Sequence, residues 1–291
     1  MDWLHFKKIY FLISGIFICL GIFSLFKWGL SLGVDFVGGT ILEYQFVESV
    51  STESIANKIE EKGIEVSSIQ SVGGNYLFRL PPIGISEKER INQILNDDLK
   101  LNAIELRFET VGPTIGPELV KKTIYALVIA AGAILIWVAI QFKSFKFGTS
   151  AILAMLHDSF ILIGFFSLLG HWAGAEVDFL FVTALLTTLS FSVHDTIVVY
   201  DRIRESQKTH GEDMIGLANR AISETMTRSL NNSFTIIFML VALMLLGGTT
   251  VKWFAVALLI GTISGTYSSP FVAVPLLVIW DTLIDKVKRK K

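Results

Sequence analysis

The chain has 291 residues, 52% of them hydrophobic and 18% charged, where an ordinary soluble domain is about half apolar and about a quarter charged. The apolar excess is gathered into long charge-free runs, which excludes a soluble enzyme, and the single cysteine, Cys19, lies inside such a run, which excludes a disulfide-built scaffold. The net charge of −1 gives no hint of nucleic acid, and no nucleic-acid partner is expected.

Lys7 and Lys8 precede the first apolar stretch, Ile9–Phe26. The run is long for a signal-peptide core and no A-x-A cleavage site follows it, so it reads as a retained anchor. The polar segment after it, residues 29–121, reads as a small domain. Gly39–Val47 is predicted as a strand. Thr52–Lys62 is predicted as a helix, with Ser51 or Thr52 as N-cap and Gly63 as stop. Val66–Val72 and Tyr76–Leu80 flank the turn signal Gly73-Gly74-Asn75. Ser86–Leu95 reads as a helix with Ser86 capping and Glu89 three residues on. Ile104–Val111 reads as the last strand. The order β-α-β-β-α-β is the ferredoxin-like split βαβ arrangement. Its Lys and Arg are outnumbered by Asp and Glu, which describes a solvated surface. No metal-ligand cluster or nucleophile–base pair stands out. Gly38-Gly39 lacks the lysine and following helix of a phosphate loop and reads as a bend.

Five further apolar stretches follow: Ile124–Phe142, Thr149–Leu169, Val177–Tyr200, Phe234–Leu246 and Trp253–Trp280. Each approaches the roughly 20 helical residues that cross a bilayer core. Phe234–Leu246 is the shortest, and Asn231-Asn232-Ser233 extends it. Pro270 should kink the last. Asp201–Glu205 continues the fourth span as a solvated helix in which Asp201 can pair with Arg204, or Arg202 with Glu205. Glu212–Glu224 reads as an amphipathic helix lying on the membrane interface, with Met214, Ile215, Leu217, Ala218, Ala221 and Ile222 on its apolar face.

Lysine and arginine in short loops set orientation. Lys7 and Lys8, Lys143 and Lys146, Arg202, Arg204, Lys208 and Arg220, and the basic tail with Lys286, Lys288, Arg289, Lys290 and Lys291 alternate with spans so that all fall on one side. The other side has only Lys252 in its short loops. Both termini, the loop 201–228 and the tail are therefore expected in the cytoplasm, and residues 29–121 on the periplasmic or extracellular face.

Ionisable residues inside a span are costly and mark function by default. His157-Asp158 lies near the middle of the third span. His194-Asp195 lies in the fourth, and Arg228 opens the fifth at a similar depth. A moving Arg228 could switch Asp195 between holding and releasing a proton, or the two could form a static bridge between helices; the residues alone admit both. Histidine is the side chain whose unperturbed charge change falls near neutral pH, which makes His194 a candidate for proton exchange. Thr187, Thr188, Ser190, Ser192 and Thr196 in the fourth span, and Gly261-x-x-x-Gly265 in the sixth, read as close helix packing. His5, His171 and His210 sit near water and need no role.

Six motifs in order carry a family resemblance. They are Gly33-Val34-Asp35-Phe36-Val37-Gly38-Gly39-Thr40, Val111-Gly112-Pro113-Thr114-Ile115-Gly116-Pro117-Glu118-Leu119, Leu156-His157-Asp158, Asp195 through Glu205, Arg228-Ser229-Leu230-Asn231, and Gly265-Thr266-Tyr267-Ser268-Ser269. Over nearly its full length the chain resembles the SecF family of protein-export membrane proteins, within the RND superfamily. The resemblance implies a membrane all-α fold of six transmembrane helices, half of an RND-type transporter, with one α+β ferredoxin-like external domain. It implies SecD as the other half in a heterodimer, the SecYEG channel and unfolded exported polypeptides as further partners, and the proton as coupling ion without any other cofactor or enzymatic activity. It implies a proton relay on Asp195 and Arg228. Two departures stand out: His194 replaces the family's usual Asn, and Ser229, Asn231, Asn232 and Ser233 alter the Arg-Thr-Leu-x-Thr-Ser pattern. A proton-driven small-molecule exporter and a non-catalytic translocon scaffold are the competing readings. An exporter of that kind carries both halves, and a scaffold would tolerate neutralisation of Asp195.

Overall fold

The computed structural model describes residues 1–47, 50–72, 74–112, 115–142, 144–209 and 213–288. Gly73 of the hairpin turn, Pro113 and Thr114 of the second motif, Lys143, His210, Glu212, Arg289, Lys290 and Lys291 lie outside the described residues. In chain order a 3₁₀ turn (Trp3–Phe6) leads into α1 (Lys7–Trp28), α2 (Val34–Val37), β1 (Gly39–Gln45), α3 (Thr52–Glu61), β2 (Ser68–Val72), β3 (Asn75–Leu80) and α4 (Ile85–Gln93). A π-helical turn (Ile94–Asp98) precedes β4 (Ile104–Val111), α5 (Ile115–Phe142), α6 (Phe145–Ala173), α7 (Phe179–Thr209), α8 (Met214–Leu246) and α9 (Thr249–Ser268), and a second π turn (Ser269–Ala273) joins α9 to α10 (Val274–Lys288). Two compact units result: Leu32–Tyr125, and Met1–Ser31 together with Ala126–Lys291.

In the Leu32–Tyr125 unit the four strands run antiparallel in the order β2-β3-β1-β4, the ferredoxin-like sheet. Alternation along β3 turns Tyr76, Phe78 and Leu80 to one face, where they meet Leu42, Tyr44, Ile55, Ile59, Ile91 and Leu95 in a buried core. Gly39 has φ +129°, and a Cβ there would sit 3.0 Å from the carbonyl oxygen of Leu80, so the bend into β1 needs glycine. Two expectations about caps change. Ser51 occupies the N-cap of α3 but makes no side-chain cap bond. The second helix starts one residue earlier than expected, with Gly84 rather than Ser86 at its N-cap, and Gly84 N–H donates to Glu87 Oε2 at 2.9 Å. The carboxylate that reaches back to the cap is thus Glu87 and not Glu89, because it must stand three residues after the cap, and glycine has no side chain to return a bond.

Six helices among the described residues are long and apolar enough to cross a membrane: Trp3–Trp28, Ile115–Phe142, Phe145–Ala173, Phe179–Gln207, Met214–Leu246 and Val251–Leu283. The expected interfacial helix and short fifth span are one continuous α8. Asp213 caps it by accepting from Gly216 N–H at 2.9 Å, and no proline interrupts the segment. The apolar face read as lipid-bound is buried in the bundle instead, through Leu217, Ala218, Ala221 and Ile222. At Pro270 the sixth span takes a π turn, which accommodates a residue without a backbone donor.

Small residues set the helix crossings. A Cβ on Gly164 of α6 would lie 2.5 Å from the Cα of Gly21 on α1, and Ser24 Oγ and Ser167 Oγ bond beside it at 2.7 Å. Gly261 of α9 abuts Thr188, and Gly265 abuts Ser192, both on α7. The Gly-x-x-x-Gly pattern is therefore a packing surface, and it brings α9 close enough for its hydroxyls to reach across to α6.

Candidate functional site

Near the middle of α6 stands Asp158, buried, with its carboxylate bonded from three helices. Its Oδ2 accepts from Ser192 Oγ of α7 at 2.5 Å and from Ser268 Oγ of α9 at 2.6 Å; Oδ1 accepts from Ser264 Oγ at 2.6 Å and lies 3.0 Å from His157 Nδ1. Ser264 and Ser268 are four residues apart, so they present hydroxyls on one face, a turn apart. A carboxylate offers about four acceptor positions, and here all are used. Short, charge-assisted bonds of this kind offset the cost of burying the group. His157 is also buried, and its Nε2 has no hydrogen-bond partner among the described residues.

One helical turn beyond Ser192 on α7 stands Asp195, also buried. Ser229 Oγ of α8 is 2.6 Å from each of its carboxylate oxygens. Beside it Thr196 Oγ1 and Ser269 Oγ bond at 3.0 Å, and Ser269 Oγ reaches the carbonyl of Ser192 at 3.4 Å. Ser233 Oγ donates to the carbonyl of Ser229 at 2.9 Å and lies 2.7 Å from Thr266 Oγ1. Serine and threonine hydroxyls thus surround both carboxylates within the bundle of α6, α7, α8 and α9. Hydroxyls can both donate and accept, so this lining can relay a proton or exchange partners around a charge.

The expected meeting of Asp195 and Arg228 is absent among the described residues. Arg228 is exposed, and Ser229, one residue on, takes the place beside the carboxylate. The reason is helical register. The buried stripe of α8 runs through Ala218, Ala221, Thr225, Ser229 and Ser233, spaced three or four residues apart, and Arg228 falls off it. His194 is exposed for the same reason, since Ser192, Asp195 and Thr196 hold the inward face of α7. His157 and Asp158 are brought together, and Asp158 and Asp195 each take serine hydroxyls from neighbouring helices. Of the hydroxyls read as packing, Thr188 packs on Gly261, while Ser192 and Thr196 are hydrogen-bonded parts of the site.

Sequence reasoning passed over Ser264, and it read Ser229 only as a hydroxyl kept in place of threonine. It also missed Tyr200, fully buried, whose hydroxyl lies 2.8 Å from Ser150 Oγ and 2.9 Å from the carbonyl of Ala273. The available signal was hydroxyl pairs at i, i+4 inside apolar spans: Ser192 with Thr196, and Ser264 with Ser268.

At one end of the same bundle the chain ends and loops tie together. Asn219 Nδ2 donates to Asp2 Oδ1 at 2.9 Å, Trp3 Nε1 donates to Ser223 Oγ at 2.9 Å, and Lys146 pairs with Asp281. Arg202 bonds Glu205 at 2.7 Å and also Glu224 of α8. Arg204 donates to the carbonyl of Gln141 at 3.0 Å.

Comparison with known proteins gives a consistent result. The family described as protein export membrane protein SecD/SecF, C-terminal, matches residues 91–283, and the SecD/SecF GG motif matches residues 23–50. The chain is 42% identical to the protein translocase subunit SecF of Thermobaculum terrenum, covering 97% of this chain and 94% of that one. It is 31% identical to the protein translocase subunit SecDF of Bacillus subtilis, covering 94% of this chain but 37% of that one. The crystal structure of SecDF, a translocon-associated membrane protein from Thermus thermophilus, superposes with a TM-score of 0.86 at 33% identity; the chain spans 39% of its length.

Proposed function

The chain belongs to the SecD/SecF family of protein-export membrane proteins, and from that membership we propose that it couples the proton gradient to protein export through the buried Asp158–Asp195 network. It is a multi-pass membrane protein with the accessory role of a Sec translocase subunit. Relatives that fuse the two halves into one SecDF chain make SecD its partner. The translocase names of these relatives support this role over a small-molecule exporter or a passive scaffold.

The observation that carries the coupling is the pair of buried carboxylates, Asp158 and Asp195, each bonded by serine hydroxyls inside the membrane helices. Charge at that depth is costly, and pathways for ions and protons are where membrane proteins retain it. In this reading Asp195 takes and releases the proton, Asp158 with His157 holds the fixed end of the network, and Arg228 balances the charge of Asp195 in another stage of the cycle. His194, exposed beside Asp195, exchanges protons with the surroundings. The protein works in the cytoplasmic membrane with both termini in the cytoplasm. The basic clusters support that orientation, as do the ties among Asp2, Asn219, Lys146 and Asp281 at one end of the bundle. The domain between the first and second spans, read from the sequence as residues 29–121, is then on the outer face, where an emerging unfolded polypeptide is available, and the SecYEG channel is the expected neighbour.

The test is complementation. A strain lacking its own SecD and SecF receives this chain with its cognate SecD, and export of a secreted protein is followed with and without a proton gradient. Gradient-dependent export restored by the pair supports the reading. Export that ignores the gradient contradicts it.

A further inference from the structure

We infer that the helical bundle holds one phospholipid at a fixed place, with its phosphate at Lys27 on the C-terminal end of α1 and an acyl chain in the groove between α1, α6 and α9. Such a site stands independently of the proposed proton coupling.

The groove has a volume of about 310 Å³, at the lower end of the roughly 300–1,000 Å³ of ligand pockets. Ile13 and Phe17 of α1, Ile161 and Phe165 of α6, and Ile260 and Ile263 of α9 line it. Ser264 and Tyr267 complete the lining, but both hydroxyls are engaged elsewhere. Ser264 Oγ donates to Asp158 Oδ1 at 2.6 Å, and Tyr267 Oη donates to the carbonyl of Tyr10 at 2.8 Å. A polar ligand would lose its hydrogen bonds there, whereas an alkyl chain has none to lose. The groove does not suit another helix. Helices associate in membranes through small residues and polar ties, and here those residues are already engaged: Gly21 and Ser24 of α1 lie on α6, and Gly261 and Gly265 of α9 lie on α7. Ile13, Phe17 and Ile263 remain exposed along the rim, and bulky apolar side chains of this kind are covered by lipid.

The three walls end in cations and aromatic rings on one side of the bundle. Gly21 meets Gly164, Ser24 meets Ser167 and Trp28 meets His171 at one constant offset, so α1 and α6 run parallel. The pairs Ser150–Tyr200 and Phe166–Phe181 make α7 antiparallel to α6, and Gly261–Thr188 and Gly265–Ser192 make α9 parallel to α7. The last turns of α1 and α6 and the first turn of α9 therefore share one side. Lys27 is exposed there and makes no ion pair among the described residues; its Nζ lies 5.4 Å from the ring centre of Phe23 and 4.9 Å from that of Trp28. Trp28 stacks on His171 and lies 6.1 Å from Trp172. On α9, Trp253 stands about two turns before Ile260 on the same face, with Lys252 Nζ 5.3 Å from its ring. Lysine and tryptophan in this setting belong to the headgroup level of a bilayer, and the Lys27 ammonium is complementary to a phosphate. The depth agrees. Lys27 to Phe17 is about 15 Å along the helix, half of the roughly 30 Å hydrocarbon core. A chain hung from a phosphate at Lys27 thus ends in the groove against Ser264, and it keeps water from the lipid side of the Ser264–Asp158 bond.

The experiment is performed on the full chain with its SecD, in vesicles of phosphatidylethanolamine and phosphatidylglycerol. A trace of the phosphatidylglycerol carries a diazirine at the end of one acyl chain, and after irradiation the labelled peptides are identified by mass spectrometry. Peptides holding Phe17, Phe165 and Ile263 should be labelled several-fold more than the α8 peptide holding Phe238, which is exposed but lines no part of the groove. Ile263→Trp, which fills the groove, and Lys27→Gln, which removes the cation, should each lower groove labelling several-fold and leave Phe238 labelling unchanged. Lys27→Arg should label as the parent. Equal labelling of the groove and Phe238, unmoved by Ile263→Trp, means ordinary bilayer contact and overturns the site. Groove labelling that survives Lys27→Gln overturns the placement of the phosphate. Groove labelling that appears only when SecD is left out makes a helix of the partner the occupant and overturns the lipid.

Discussion

Ser229 Oγ lies 2.6 Å from both carboxylate oxygens of Asp195, while Arg228, its neighbour in the chain, is exposed. That relationship ties the fifth span to the fourth by a hydroxyl where an ion pair was expected. The cation next along α8 faces outward, and the buried carboxylate is bonded by the hydroxyl. A static salt bridge would fix α7 to α8; a hydroxyl that any other donor can replace does not.

Asp158 should behave as the structural anchor of the bundle. In Asp158→Asn the side chain keeps one acceptor oxygen and gains an amide donor, so it cannot serve Ser192, Ser264, Ser268 and His157 together. Hydrogen bonds to charged groups contribute about 1.5–3 kcal/mol each, and part of that is lost. The variant should unfold in detergent at a clearly lower temperature than the parent. An unchanged melting temperature would mean that the three serines do not depend on the charge.

Gly164 should not tolerate even one added carbon. A Cβ there would stand 2.5 Å from the Cα of Gly21, which is backbone and cannot turn aside. Overpacking of this kind costs about 1–3 kcal/mol. Gly164→Ala should therefore separate α1 from α6 and weaken the Ser24–Ser167 bond. Cysteine cross-linking across that crossing measures it, and undiminished cross-linking would contradict the close approach.

Tyr44 gives the external unit an alkaline limit. Burial, and next the nearby Glu105 carboxylate, raise its phenol above the ordinary value of 10.0. The folded state thus favours the neutral phenol. The resulting stabilisation is fully present below the unfolded value near 10 and is lost as pH rises through the higher folded value. Tyr44→Phe should remove that loss while costing about 1 kcal/mol at neutral pH, because the hydroxyl's bond to Asn92 disappears. Limited proteolysis of residues 32–125 in the full chain, at neutral pH and above pH 10, distinguishes the two; equal alkaline sensitivity in the variant would contradict this role for Tyr44.

How much of this was legible in the sequence depends on the length scale. Charge-free runs and alternation are local patterns, so the six spans and the β-α-β-β-α-β order could be read directly, and β4 was read to its observed ends, Ile104 and Val111. The start of α8 could not. Leu217, Ala218, Ala221 and Ile222 make an apolar stripe whether it faces a bilayer surface or a helix bundle, and packing decided for the bundle. Position along the chain put Asp195 and Arg228 at similar depth but said nothing of rotation about the helix axis. A single residue of register, Ser229 for Arg228, changed the partner. Ser264 and Ser268 were invisible as ligands of Asp158 because a serine in a span reads first as close packing, and here Gly261 and Gly265 on the same helix do that packing while the serines bond across.

The most direct measurement of the central claim is gradient-dependent export with Asp195→Asn. The variant is supplied with its cognate SecD in cells lacking their own pair, and its amount in the membrane is matched to the parent. The variant should be inserted and stable, but its export should no longer respond to the proton gradient. Export equal to the parent, with the same dependence on the gradient, would contradict the assignment of proton coupling to the Asp195 network.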